Sequence, residues 1–256
     1  MRRYFSVAGG LAWRLLHSLV SNPLLILPPL LMPIFFFTAF AGGLSAVSKV
    51  PGFDYPPGYT SFIFAFVLCQ SAAFGGVFSG FSIAADFQFG FGRRLLLATP
   101  HRTALLLGYG VVALIRSIVT LGAVTVIGLI VGMNINGGGL DVFGIYGLAL
   151  IINVTGLLFA AGIALRFRSL QATPLMQVPV FLFLFLAPVY VPRELLGGWV
   201  HAVSGFDPAT HIMEAGRDLI AGQPSDFFAA LAIGLGMVAL LAVFAVRGLR
   251  SAEAAG

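Results

Sequence analysis

Arg116 stands alone in an apolar run, with Ala113, Leu114 and Ile115 before it and Ile118 and Val119 after. A guanidinium there costs at least about 2.5 kcal/mol at mid-bilayer, so it must face protein or a water-filled cavity. Two other polar stretches have spacing that could do work. Residues 86–100 open on Asp86, a candidate helix cap, carry the adjacent cations Arg93 and Arg94, run through Leu95, Leu96 and Leu97, and close on Pro100, whose missing N–H stops a helix before it. They read as a short helix over residues 86–97 with an exposed basic face. Residues 207–222 set Asp207 before Pro208, a sequence suited to an N-cap, then place Arg217 and Asp218 at i+3 and i+4 from Glu214. None of this is catalytic. The sequence has no Gly-x-x-x-x-Gly-Lys-Ser/Thr loop and no Cys/His cluster at metal spacing; its single lysine is Lys49, and His17, His101, His201 and His211 are scattered. Energy for any vectorial transport must come from elsewhere.

The elements that would position these residues are set by composition. The chain is 59% hydrophobic and 9% charged, whereas a soluble domain is about a quarter charged. Measured against the roughly 20 residues needed to cover about 30 Å of hydrocarbon, apolar runs predict spans at residues 24–44, 59–84, 105–131, 143–165, 174–191 and 227–246, one of them broken by prolines. The expectation is an all-α integral membrane protein with six transmembrane helices in one domain, residues 1–256. Arg116 then falls about eleven residues into the third span, roughly 16 Å along a helix.

The cations sort by side. With the N-terminus inside, Arg2, Arg3, Arg14, Arg93, Arg94, Arg102, Arg166, Arg168, Arg247 and Arg250 are all inner, and Lys49, Arg193 and Arg217 are outer. This bias predicts cytoplasmic N- and C-termini and assigns the basic pI to the membrane side, with no nucleic-acid partner. Cys69 has no intrachain partner and reads as a small buried residue. Arg2 and Arg3 ahead of an apolar run invite comparison with a signal peptide, but Arg14, His17, Pro28, Pro29 and Pro33 interrupt any compact hydrophobic region, so the first span is read as part of the mature chain.

Before that span, Tyr4, Phe5, Leu11, Leu15, Leu16 and Leu19 recur near helical spacing around Arg14, with Trp13 where an interfacial indole would sit. They predict an amphipathic helix on the cytoplasmic surface, in contact with membrane lipids; a loose tail is the alternative. The segment at residues 207–220 is too polar to face lipid and predicts a helix at the outer boundary or one re-entering against protein. An external gate and an ordinary amphipathic helix both fit it. Asn153, Thr155, Gln171 and Gln177 read as interhelical hydrogen bonders, and the 25 phenylalanines as packing or as the lining of a path.

The 86–108 stretch resembles the type-2 ABC exporter membrane subunits, in their daunorubicin-resistance permease branch. The matching pattern is Asp86, Gly90, Arg94, Leu95, Leu96, Thr99, Pro100 and the run Leu106-Leu107-Gly108. Phe206-Asp207-Pro208, Thr210, Glu214, Arg217, Leu219 and Gly222, preceded by Trp199, resemble a second signature of the same family, with Asp207 in place of the usual Asn. Gln88 and Arg93 stand where family members often carry acids, and Ala113 where an acid often precedes Arg116 by three residues, so Arg116 needs another partner, such as a backbone carbonyl or a second subunit. For Arg116 itself, a structural or gating role and substrate contact both stay open.

The resemblance implies a coupling helix built on Asp86, Gly90, Arg93, Arg94, Leu95 and Pro100, docked into a separate ATP-binding subunit. It also implies a surface helix carrying Phe5, Trp13 and Arg14, and an outer gate at Asp207, Pro208, Glu214 and Arg217. The expected assembly pairs this chain with a second copy, or a homologous permease, above two ATP-binding subunits in the bacterial cytoplasmic membrane. This chain itself binds no cofactor; ATP and Mg sit in the partner. The expected cargo is a lipophilic or amphipathic drug or lipid moved outward. A lipid-linked glycan exporter, an ATPase-independent carrier and a membrane assembly factor are the alternatives.

Overall fold

A computed structural model describes residues 2–22, 27–99 and 102–254. Among them regular structure is entirely helical: α1 Arg2–Ser21, α2 Leu27–Gly43, α3 Tyr59–Gln88, α4 Phe91–Ala98, α5 Thr103–Ile130, α6 Gly139–Phe167, α7 Thr173–Leu186, α8 Gly198–Ser204, α9 Pro208–Ala221 and α10 Phe227–Ala254, with short 3-10 turns between some of them. Helices α3, α5, α6 and α10 run 28 to 30 residues and are long and apolar enough to cross a bilayer. Among the described residues helices α2 and α7 hold 17 and 14 residues, fewer than the roughly 20 of a straight full crossing. Each contains an internal proline, Pro33 and Pro179, which removes one backbone donor from the ladder. The six expected spans thus become four full-length helices and two shorter apolar ones.

The centre of the bundle is α3, buried from Tyr59 to Ala84 on most of its surface. Its approach to α6 is backbone on backbone, because Gly76 and Gly80 face Asn153, Leu157 and Ala160, and Gly156 faces the Ala73 carbonyl. A Cβ on Gly76 would overlap the Asn153 carbonyl and the Leu157 amide. Small residues at this spacing are the means by which helices meet closely in lipid, where no hydrophobic effect drives them together. Asn153 adds an interhelical bond, its amide donating to the Ala72 carbonyl at 2.9 Å. On the far side of α6, α10 closes against Gly162 through Gly248. Phenylalanines join α2, α3 and α7, with Phe37 against Phe64 and Phe185 against both Phe36 and Phe66; at these positions the rings are packing. Cys69 is buried and free.

Contacts place the helix ends in two groups. At one end Ser61 bonds Asn134, Asn136 bonds Ile220 and Tyr55 bonds the Arg217 carbonyl, gathering the start of α3, the α5–α6 loop and α9. At the other, Arg14 meets Asp86, Gln88 holds the α6–α7 link through Leu170 N–H, and Arg102 pairs with Glu253 at 2.9 Å. This second end also carries Arg93, Arg94, Arg166, Arg168, Arg247 and Arg250.

Candidate functional site

The basic end is organised by Asp86. The sequence expectation made this residue the cap of the short helix; instead α3 continues through it to Gln88, and the cap position of α4 falls to Gly90, at φ 81° in the left-handed region. The physical reason is that the Asp86 carboxylate is occupied elsewhere. It accepts from the Arg14 guanidinium of α1 and from the Tyr109 hydroxyl of α5 at 2.5 Å. The Arg14 guanidinium also lies 3.9 Å above the Phe91 ring at the start of α4, a cation–π contact. Helices α1, α3 and α5 therefore meet at one carboxylate, and α4 joins them through Phe91 beneath Arg14.

Helix α4 spans residues 91–98, shorter than the expected 86–97 at its start because Gly90 turns the chain. Gly92 and Leu96 are buried beneath it, and Arg93, Arg94 and Leu97 are exposed. Leu95 is half-buried, with Phe87, Gly92 and Tyr109 around the same small cavity. Pro100 lies outside the described residues. Helix α1 buries Ala8, Leu11 and Ala12 and packs on α5 at Gly108, where a Cβ would stand 3.0 Å from the Ala8 carbonyl. Phe5 and Trp13 are 63% and 73% exposed, so α1 presents two aromatics away from the bundle, as a helix lying at a membrane interface does.

Two helical turns along α5 from Tyr109, about 10 Å, Arg116 donates to the Gly75 carbonyl at 2.5 Å and to Ser79 Oγ at 2.8 Å. It has found a backbone carbonyl, one of the partners the sequence left open, and its Nε is buried with no partner.

At the opposite end Asp207 caps α9, accepting from Ala209 N–H at 3.0 Å and Thr210 Oγ at 3.3 Å, with Pro208 in the first turn. Burial raises the Asp207 carboxyl above its ordinary value, against the pull of these hydrogen bonds. Arg217 is 4% exposed. It donates to the carbonyls of Phe62 and Val189 at 3.3 and 3.2 Å and lies 3.5 Å above the Phe62 ring. Among the described residues no ion pair joins it to Glu214, despite their i, i+3 spacing. Glu214 is half-buried, and burial raises its carboxyl while Arg217 and Arg193 pull the other way. Helix α9 is thus anchored inward on α3 by its arginine.

The candidate residues form two assemblies at opposite ends, with Arg116 between them on α5. Tyr109, Phe91 and Ser79 were not anticipated. Tyr109 was findable, since it precedes Arg116 by seven residues on one helical face; the Gly76-x-x-x-Gly80 pair was equally visible.

Known proteins supply a second line of argument. The ABC-2 type transporter family matches residues 9–221. The chain is 26% identical over 251 residues to the daunorubicin resistance ABC transporter permease protein DrrB1 of Streptomyces coeruleorubidus, covering 94% of this chain and 85% of that protein. It is 22% identical over 220 residues to the putative transport permease ycf38 of Pyropia yezoensis, covering 85% and 75% respectively. One uninterrupted match takes in the Asp86 node, α4, Arg116 and the anchored α9, and by it this multi-pass membrane chain belongs to the ABC-2 type transporter family.

Proposed function

We propose that this chain is the membrane permease subunit of an ATP-driven exporter in a bacterial cytoplasmic membrane, moving a lipophilic or amphipathic drug or lipid outward. It works as a pair with a second copy or a homologous permease. Two ATP-binding subunits sit beneath it and hold ATP and Mg. Residues 1–256 act as one domain with six crossings, two of them made by the shorter helices α2 and α7. The inner-end clustering of arginines supports placing both termini in the cytoplasm.

One observation carries the reading: Arg93 and Arg94 are exposed on a short helix whose opposite face is seated on the bundle. A push on that face passes through Phe91 to Arg14, and through Asp86 to α3 and α5. Charge and packing so arranged couple a cytoplasmic partner to three membrane elements at once. An apolar passenger suits a crevice of about 340 Å³, within the size range of small-molecule sites. Phe159, Phe183, Leu184 and Met237 line it, and Asp207 and Pro208 stand at one end. The relative from Streptomyces bears a drug-resistance name, in keeping with a lipophilic cargo.

Reversal of charge in Arg94→Glu tests the coupling. Cargo-stimulated ATPase activity of the reconstituted complex falls, while membrane insertion and complex assembly measured by blue native electrophoresis stay at wild-type levels. Unchanged stimulation would remove α4 from the coupling path.

A further inference from the structure

A second cavity lies between α1, α3 and α5, with a volume of about 70 Å³, room for roughly five to seven waters or one phosphate group. Its wall is unusual for this bundle. Arg116 forms one side, with Ser79 and Ser82 from α3, Ser18 from α1 and Tyr109 from α5. Arg116 is 8% exposed and carries a full positive charge with no carboxylate in contact. Two of its donors are used on the Gly75 carbonyl and Ser79 Oγ, and its Nε is buried and unpartnered. Asp86, one hydrogen bond beyond Tyr109, already bears Arg14. A buried cation with no carboxylate in contact among the described residues, beside a cavity whose largely apolar wall carries four hydroxyl side chains, is suited to an anion.

We propose that this cavity is an anion site that takes a phosphate group, with Arg116 as its charge partner and the Ser18, Ser79 and Ser82 hydroxyls as further donors. Ser79 and Ser82 now donate to carbonyls of their own helix, at 3.5 and 3.2 Å, and rotation about χ1 turns each toward the cavity. Guanidinium–phosphate pairing is the strong, charge-assisted form of hydrogen bonding. Leu15, Leu19 and Val112 complete the wall, an apolar rim that matches the glycerol and upper acyl carbons of a phospholipid better than it matches a free ion. Helix α1 contributes Leu15, Ser18 and Leu19 to this wall, so the phosphate is held against its C-terminal half. The site is separate from the coupling face and from the 340 Å³ crevice, and it stands whether or not export is the chain's activity.

Native mass spectrometry of the purified full chain after progressive detergent delipidation tests it, with phosphatidylglycerol, diacylglycerol and inorganic phosphate as probes. The wild type retains one phosphatidylglycerol per chain and releases diacylglycerol. Arg116→Gln retains it about tenfold less or worse, the loss of one charge-assisted pair, and Arg116→Lys keeps part of the retention. Ser18→Phe, which plugs the cavity from α1 and leaves Arg116 untouched, abolishes it. If inorganic phosphate raises the melting temperature of delipidated wild type but not of Arg116→Gln, and lipid is not retained, the anion site stands with a soluble source. Equal retention of diacylglycerol and phosphatidylglycerol overturns the proposal. So does wild-type retention by Arg116→Gln or Ser18→Phe, or no response of the folded wild type to either phosphate probe.

Discussion

Replacement of Asp86 by asparagine keeps the side chain's shape and removes its charge, and the geometry around the carboxylate sets the cost. That carboxylate accepts from Arg14 and Tyr109 together. Both donors meet the same oxygen, Oδ2, so asparagine keeps both contacts through its one oxygen but as a neutral acceptor, and both bonds lose the charge assistance of the carboxylate. A hydrogen bond to a charged group contributes about 1.5–3 kcal/mol net. The Arg14 side chain is 39% exposed and that of Asp86 14%, so water replaces part of the loss on the arginine side. The expected cost is about 2 kcal/mol, carried by the attachment of α1 rather than by the whole bundle, because among the described residues Arg14 is that helix's one charged tie to α3.

Hydrogen–deuterium exchange resolved over residues 7–16 reads this directly. About 2 kcal/mol of lost local stability speeds exchange in α1 by about thirtyfold, while α3 and α6, held by glycine contacts at Gly76 and Gly156, change little. In a cycle with Arg14→Gln, the two costs fall short of additivity by about 1 kcal/mol. Exchange of α1 within twofold of wild type would show that Ala8, Leu11 and Ala12 alone hold the helix, and the four-element node would lose its mechanical meaning.

Other perturbations test the remaining parts. Gly76→Leu forces α3 from α6, because even a Cβ overlaps the Asn153 carbonyl; the expected loss is about 3 kcal/mol, seen as reduced monodisperse protein on size exclusion, and wild-type yield would refute the contact. Met237→Trp fills part of the 340 Å³ crevice and lowers cargo export by more than half while leaving basal ATPase activity intact; undiminished export would place the passenger elsewhere. Burial raises the carboxyls of Asp207, Glu214 and Asp218, so the folded state holds protons that the unfolded chain has released. Stability of the α9 region therefore falls as pH rises through the window above the ordinary values of 3.8 and 4.5. Protection factors in α9 should be higher near pH 4 than near pH 7.5, and a flat or opposite trend would sink the assignment.

The sequence made the long helices legible because lipid imposes a length and a composition that few soluble segments meet. At α2 and α7 it found the apolar runs but not the helix ends, since a hydropathy window counts apolar residues and not where the backbone ladder stops. Asp86 shows the other limit. Local spacing favoured a cap, yet the carboxylate serves residues 72 positions before it and 23 after it, a tertiary pairing that local spacing does not encode. At Asp207, by contrast, the cap is local and was readable from Asp-Pro alone. The i, i+3 spacing of Glu214 and Arg217 likewise does not say where the arginine goes, because its donors are taken by backbone carbonyls from α3 and the α7–α8 loop.

Three arginines that leave water are solvated in three different ways, and the difference bears on which of them can move. Arg14 is neutralised by Asp86, and its partial exposure lets the pair separate at modest cost. Arg217 has two carbonyls and an aromatic face on rigid neighbours, and burial lowers its guanidinium only to about 10, so it stays charged and fixed at neutral pH. Arg116 has a carbonyl, a hydroxyl and an open space. A conformational cycle needs joints whose alternative states differ by only a few kcal/mol. The Arg14–Asp86 contact meets that requirement and the Arg217 anchor does not. Movement therefore belongs at the basic end, between α1, α4 and the inner turns of α3, with the α9 end serving as the fixed point against which the bundle tilts.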